Sequence, residues 1–266
     1  MIVFFLRRRV MKTPKIFVFV VILFVFSALP AHGGITDGLV SYWTFDETSG
    51  SIAHDTVGTN NGNLSGDATW TTGVLNGGLQ FSGNGWVNVP DSPSLNITGD
   101  EITISAWYKP STNNWAINGN DPIVCKWLSL NSAYFLGYGP DMPNYMVLGT
   151  MTSEVVRAYS PIPVDNVNQW YHIVGIYNGS EQVVYINTVA GSSVANTGNI
   201  SISSKPLRIS GYPNDDHPLY GTVDDIRIYD RALSYEEVLQ LYSIPEPATI
   251  LLIGAGSLFL IRKRIN

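Results

Sequence analysis

The chain has 266 residues, of which 12% are aromatic, 14% are charged and one is cysteine. Eight of its 15 basic residues lie in the two termini, so the segment 34–247 keeps seven basic residues against all 21 acids, a net charge of −14. A field of that sign repels phosphate backbones and argues against nucleic acid and anionic membrane surfaces as partners, whereas it suits cations such as Ca²⁺ or neutral glycans.

In chain order, Arg7, Arg8, Arg9, Lys12 and Lys15 lead into an apolar run over residues 16–29, and Ala31 and Gly33 then offer the small residues that a signal peptidase reads. The pattern predicts a secretory signal peptide over residues 1–33, with an uncleaved membrane helix as the alternative. Met11 would serve equally well as a start. Past residue 34 the pattern becomes short apolar runs between Gly, Asn, Asp and Pro punctuation. The runs at 39–45, 78–83, 85–90, 102–108, 123–128, 134–138, 145–151, 154–159, 170–177, 182–186, 207–210 and 222–229 read as strands. Between the first two lies a Gly/Asn/Asp-rich loop over residues 46–67. Asn178-Gly179 between two β runs is a hairpin signal. Cys125 sits in an apolar run, so it reads as a buried small hydrophobe, and without a disulfide the domain rests on its core alone. Helical period is confined to the end. There, Ser234 and Glu237 have capping-box spacing, and Val238, Leu239, Leu241 and Tyr242 supply an apolar face. Asp224 and Asp225 interrupt the preceding strand, and carboxylates are depleted in strands. The pair therefore calls for a metal, a cap or an exposed edge.

About a dozen strands and a closing helix in one composition regime predict a single all-β domain, a two-sheet antiparallel sandwich over residues 34–243. Several segments, in order, resemble the laminin-G-like, concanavalin A-like jelly rolls of exported bacterial proteins. They are GLVSYWTFDE at 38–47, LQFSG at 79–83, VPDSPSL at 89–95, ITISAW at 102–107, WYHIVG at 170–175 and VDDIRIYDRALS at 223–234. The chain departs from the family at Asn187-Thr188, where relatives carry Asn-Gly, which bears on the tightness of that hairpin turn. A second resemblance lies at the end. Pro245, Glu246 and Pro247 precede an apolar run over 250–261 and the basic residues Arg262, Lys263 and Arg264. Residues 244–266 are similar to the PEP-CTERM sorting signal of outer-membrane-bearing bacteria, which implies processing by an exosortase; a permanent tail anchor is the alternative. The apolar run is short for a spanning helix.

The jelly-roll resemblance implies a structural Ca²⁺ at one rim, with ligands at Asp46, Asp55, Asn60, Asn61 and Asp224, and Asp225 beside them. The chain contains no E-x-D-x-E or E-x-D-x-x-E of retaining glucanases and no Ser-His-Asp, Cys-His or HExxH arrangement, so a non-enzyme is expected. His172 reads as a packed strand residue. Trp43, Trp86, Trp107 and Trp170 fall in strand motifs and are expected in the core. Trp115, Trp127, Tyr138 and Tyr212, in or beside Asn/Gly/Pro-rich loops, are the candidate ligand-binding residues; residues 113–120 and 213–218 are the distinctive surface segments. Together these readings predict an exported, non-catalytic module of the cell surface or extracellular polysaccharide matrix, with an extracellular glycan as partner. A protein-binding adhesin contacting a surface protein, or a glycosidase-type enzyme, is the alternative. The membrane is contacted only through the terminal segments.

Overall fold

The structure, a computed structural model, describes residues 34–112, 121–128, 131–214, 217 and 219–243. The leader, the sorting segment with Pro245, Glu246 and Pro247, and Trp115 lie outside these residues. In chain order the strands are β1 (Leu39–Trp43), β2 (Ile52–Ala53), β3 (Gly62–Gly66), β4 (Thr69–Thr72), β5 (Gly77–Ser82) and β6 (Gly85–Val89). There follow β7 (Glu101–Pro110), β8 (Pro122–Leu128), β9 (Asn131–Tyr138), β10 (Met146–Met151) and β11 (Val155–Tyr159). The set is completed by β12 (Tyr171–Asn178), β13 (Glu181–Ile186), β14 (Val189–Ala190), β15 (Val194–Ala195), β16 (Leu207–Ile209) and β17 (Tyr220–Tyr229), before the helix α1 (Tyr235–Tyr242). Residues 46–67, expected as one loop, hold β2 and all of β3, whose short sequences carry little strand signal.

The strands form two antiparallel sheets. The first runs β14-β13-β12-β7-β17-β5-β4, with β1 beside β17 and β15 beside β13; the second runs β11-β10-β9-β8-β16-β6-β3-β2. Period-two alternation sends one side of each strand inward. Ile102, Ile104, Ala106 and Tyr108 of β7 meet Val87 and Val89 of β6 and Leu136 and Leu148 of the second sheet in one core. The helix closes the outer face of the first sheet, where Val238 and Leu241 pack with Val174, Ile176, Tyr229 and Leu233. Its start is the expected capping box: Glu237 N–H donates to Ser234 Oγ (3.3 Å) and Ser234 N–H to the Glu237 carboxylate (2.8 Å).

β17 is last in sequence but central in its sheet. It pairs with β7 along one side. Its other side is shared end to end, with β5 on residues 220–223 and β1 on residues 226–229. Asp224 and Asp225 stand where β5 and β1 meet. There the register to β7 jumps from Asp224↔Trp107 to Arg227↔Ser105, and Asp225 adopts φ +56°. The acid pair is thus explained by a β-bulge, which re-aims side chains at the junction.

Candidate functional site

The six carboxylate and amide residues expected around calcium are drawn into separate networks. Asp55 is buried, and its carboxylate accepts four backbone N–H groups: Tyr42 (3.0 Å), Val57 (3.2 Å) and Gly58 (2.9 Å) on Oδ1, and Asn60 (3.1 Å) on Oδ2. Asn60 donates from its amide to Ser41 Oγ (2.7 Å) and Ser94 Oγ (3.0 Å) and accepts from Ser92 Oγ (2.6 Å). Asn61 Oδ1 accepts the Asp55 N–H (2.9 Å). Asp225 is ion-paired with Arg227 at 2.8 Å and also accepts the Tyr42 hydroxyl. Asp224 Oδ2 accepts the Val74 and Leu75 N–H groups, both at 2.9 Å, and Asp46 Oδ1 accepts Gly77 N–H (2.9 Å). Burial pushes the Asp224 carboxyl up to about 8, against the two amide hydrogen bonds that favour its charge; the neighbouring Asp225 and Asp46 push it further up.

Calcium needs six to eight oxygens converging on one point. The oxygens of Asp55 are taken up by the loop backbone, and a cation at Asp225 would stand against a guanidinium. Among the described residues, no three His, Cys, Asp or Glu side chains come together as a metal shell. The set does not fit the ion; these residues tie loops to strands instead.

The second sheet carries a different surface. Cross-strand partners lie on the same side of a sheet, and register places Arg157, Gly149, Phe135, Cys125, Arg208, Asn88 and Asn63 in one row across seven strands. At a strand spacing of ~4.8 Å this row spans about 29 Å. The row lies on the face turned away from the main core. Cys125, Phe135 and Val147 form a sealed lower layer there, each at most 1% exposed. Gly149 makes room for it, since a Cβ at that position would come 2.1 Å from the Phe135 ring. Trp127, Tyr159 and Tyr212 pack half-buried on this layer, with the Trp127 ring edge-on to Phe135 at 5.3 Å. Further along, the Arg208 guanidinium lies over the half-buried Trp86 ring at 4.7 Å. Tyr159 donates its hydroxyl to Asp141 (2.9 Å), and Tyr212 meets the His217 ring edge-on at 5.8 Å. His217 Nδ1 stands 3.5 Å from Asp121, whose carboxyl burial pushes up to about 6, while His217 pulls it down. Burial likewise pushes the Cys125 thiol up, which keeps it an inert packing residue.

Two of the expected ligand-binding residues, Trp127 and Tyr212, therefore share one face. Tyr138 does not join them. It is one step out of phase with Gly137, so it points into the main core, where its hydroxyl donates to Val164 O (2.7 Å). The aromatics expected in the core also divide. Trp43 is fully buried there, but the inward Val87 and Val89 force Trp86 outward. Trp107 faces the helix and stacks on Tyr242 at 5.6 Å, and Trp170 lies under Lys109 at 4.9 Å. The alternation in GWVNV was the signal that would have found Trp86. Arg208 and Tyr159 gave no signal of their own.

On the first sheet, Ser105 Oγ and His172 Nε2 lie 2.9 Å apart. Both are fully buried, and His172 Nδ1 meets no carboxylate; burial, with Arg227 adding to it, holds the imidazole down at about 3. The pair is a packed polar contact, as expected for His172, and lacks the third group that orients a catalytic base.

Two antiparallel sheets packed face to face, with one aromatic outer face, define a jelly-roll sandwich of the lectin type. The chain belongs to the concanavalin A-like lectin/glucanases superfamily, whose laminin G-like family matches residues 81–239. Residues 243–264 match the PEP-CTERM protein-sorting motif. No curated protein matches the chain in sequence. Among solved structures, domain 4 of AbnA, a GH43 extracellular arabinanase from Geobacillus stearothermophilus determined in complex with arabinotriose, is similar at 19% identity with a TM-score of 0.61. The match covers 77% of this chain and 98% of that one. The binding domain of Paraclostridial Mosquitocidal Protein 1 is similar at 19% identity and a TM-score of 0.62, over 78% of this chain and 52% of that one. The botulinum neurotoxin serotype G binding domain is similar at 16% identity and 0.59, over 77% and 51%. The chain thus spans about half the length of the two toxin structures, and at these identities the likeness is one of fold.

Proposed function

We propose that this protein is an exported, non-catalytic binding module that takes a glycan chain along the outer face of its second sheet. One observation carries the proposal: Trp127, Tyr159 and Tyr212 stand half-buried on a sealed layer of Cys125, Phe135 and Val147, and the half-buried Trp86 lies further along the same face under Arg208. Fixed aromatic faces offer apolar surface to sugar rings, and the nearby Arg208, Asn88 and Asn63 supply polar groups that set orientation. The arabinotriose complex of the AbnA domain supports a saccharide ligand. Glycoside hydrolysis uses two carboxylates ~5–9 Å apart; the row from Arg157 to Asn63 contains none, and the two beside it, Asp141 and Asp121, are engaged by Tyr159 and His217.

The sorting motif supports export through the inner membrane to the cell surface or matrix of an outer-membrane-bearing bacterium, with residues 1–33 as signal peptide, 34–243 as the domain and an exosortase acting near Pro245-Glu246-Pro247. Among the described residues no helix is long and apolar enough to cross a membrane. The shared fold of the toxin binding domains favours a second reading, adhesion to a protein. A glycan array, with a pull-down against the cell's own polysaccharide, tests the first reading. Silence in both from a folded protein would overturn it in favour of the second. Sugar release lost on carboxylate substitution would overturn the non-catalytic reading.

A further inference from the structure

The helix α1 carries apolar residues on two sides. Val238 and Leu241 seal the first sheet, while Tyr235, Leu239 and Tyr242 stand 48%, 36% and 41% exposed. Spacings of four and three residues align those three along one outer line of the helix. Two aromatic rings of the sheet extend the line: Tyr185 stacks on Tyr235 at 6.2 Å, and Trp107 on Tyr242 at 5.6 Å. Both are half-buried, so the stripe is anchored at each end. A helix that is apolar on both sides calls for cover on both. The chain itself points to the cover. Past Ser243, six residues lead to the apolar run over 250–261, which Arg262, Lys263 and Arg264 close. Such a run with a basic end partitions into a bilayer. Even fully extended, the chain from Ser243 to Ile250 reaches only about 25 Å. While the tail is attached, α1 is therefore the element tethered most closely to the lipid. Tyr and Trp are the side chains that favour the headgroup boundary, ring inward and polar tip outward. A domain of net charge −14 is repelled by anionic lipid, so the contact is apolar and suits a zwitterionic surface.

We propose that the outer stripe of α1, Tyr235, Leu239 and Tyr242 with Tyr185 and Trp107 beside it, lies on the membrane surface while the sorting segment is attached. Removal of that segment frees the stripe. The proposal rests on the sorting-segment reading and is independent of the glycan face. Its test uses site-specific fluorescence. The chain's only cysteine, Cys125, is buried, so a cysteine placed elsewhere can be labelled alone. Leu239→Cys reports on the stripe and Ser257→Cys on the apolar run. Asn63→Cys reports on an exposed position of the second sheet's outer face. Each full-chain variant carries an environment-sensitive fluorophore and is reconstituted into phosphatidylcholine vesicles. The vesicles contain a nitroxide quencher either at the headgroup or deep in the acyl chain. The label at 239 is expected to lose fluorescence to the headgroup quencher, the label at 257 to the deep quencher, and the label at 63 to neither. Tyr235→Cys gives the same reading should Leu239→Cys lower the melting temperature. Quenching at 257 with none at 239 or 235, or equal quenching at 239 and 63, would overturn the proposal and leave the sorting-segment reading standing. No quenching at 257 would overturn both. A blue shift at 239 that grows with protein concentration before lipid is added would overturn the proposal in favour of a second copy of the chain.

Discussion

Asp225 and Arg227 pair at 2.8 Å across the bulge of the central strand, and the Arg227 guanidinium lies 4.1 Å from the centre of the Tyr42 ring. Asp225 is 2% exposed and Arg227 5%. Removing one partner leaves a buried charge without its counter-ion, a loss of about 3–5 kcal/mol. Asp225→Ala and Arg227→Met are each expected to lower unfolding stability by that order in urea titrations. The double substitution should recover part of the loss; a double variant as unstable as the sum of both singles would show that the pair acts through something else.

Asp224, one residue earlier, forms no ion pair among the described residues. Its folded-state carboxyl titrates near 8 against an ordinary value of 3.8. The folded protein therefore holds a proton that the unfolded chain releases, so this stabilising contribution is complete below about pH 4 and is lost as pH rises toward about 8. Asp121, raised to about 6, acts in the same direction over a narrower window. Melting temperature is expected to fall between pH 6 and 8 in the wild type and to be flatter there in Asp224→Asn. Equal slopes in the two proteins would contradict the assignment.

The hairpin between β13 and β14 closes through Asn187 and Thr188, at φ +46° and +76°, with Ile186 facing Val189. Both residues are left-handed, as a tight two-residue turn requires. A β-branched side chain resists that conformation, so Thr188→Gly is expected to stabilise the domain by roughly 0.5–1 kcal/mol. A lower melting temperature in this variant would contradict that expectation.

Calcium and EDTA are both expected to leave the melting temperature unchanged. The oxygens of Asp55 are spent on backbone N–H groups, and Asp225 faces Arg227. A rise with calcium that EDTA reverses would show a cation shell that the side chains do not form in this structure.

The sandwich was legible because period-two alternation and turn residues are local signals. Strands, the Asn178-Gly179 hairpin and the Ser234–Glu237 cap all depend on neighbours in sequence. The metal reading joined Asp224 to the Asp55 loop by resemblance, which says nothing of where each carboxylate's hydrogen bonds go. Whether a carboxylate is free depends on backbone donors far along the chain, such as Val74 and Leu75 for Asp224. The ligand face was half legible. Trp127 and Tyr212 stood out in loops, but Tyr138 was assigned by composition where its alternation with Gly137 decides. Arg208 became meaningful only once register set it beside Cys125 and above Trp86.

The most direct measurement is a binding titration of the full chain with the polysaccharide selected on the array, comparing wild type with Trp127→Ala and Trp86→Ala. Loss of a central aromatic is expected to weaken binding by about tenfold or more in each variant, with the fold retained by melting temperature. Unchanged affinity in both folded variants would contradict a glycan site on the outer face of the second sheet.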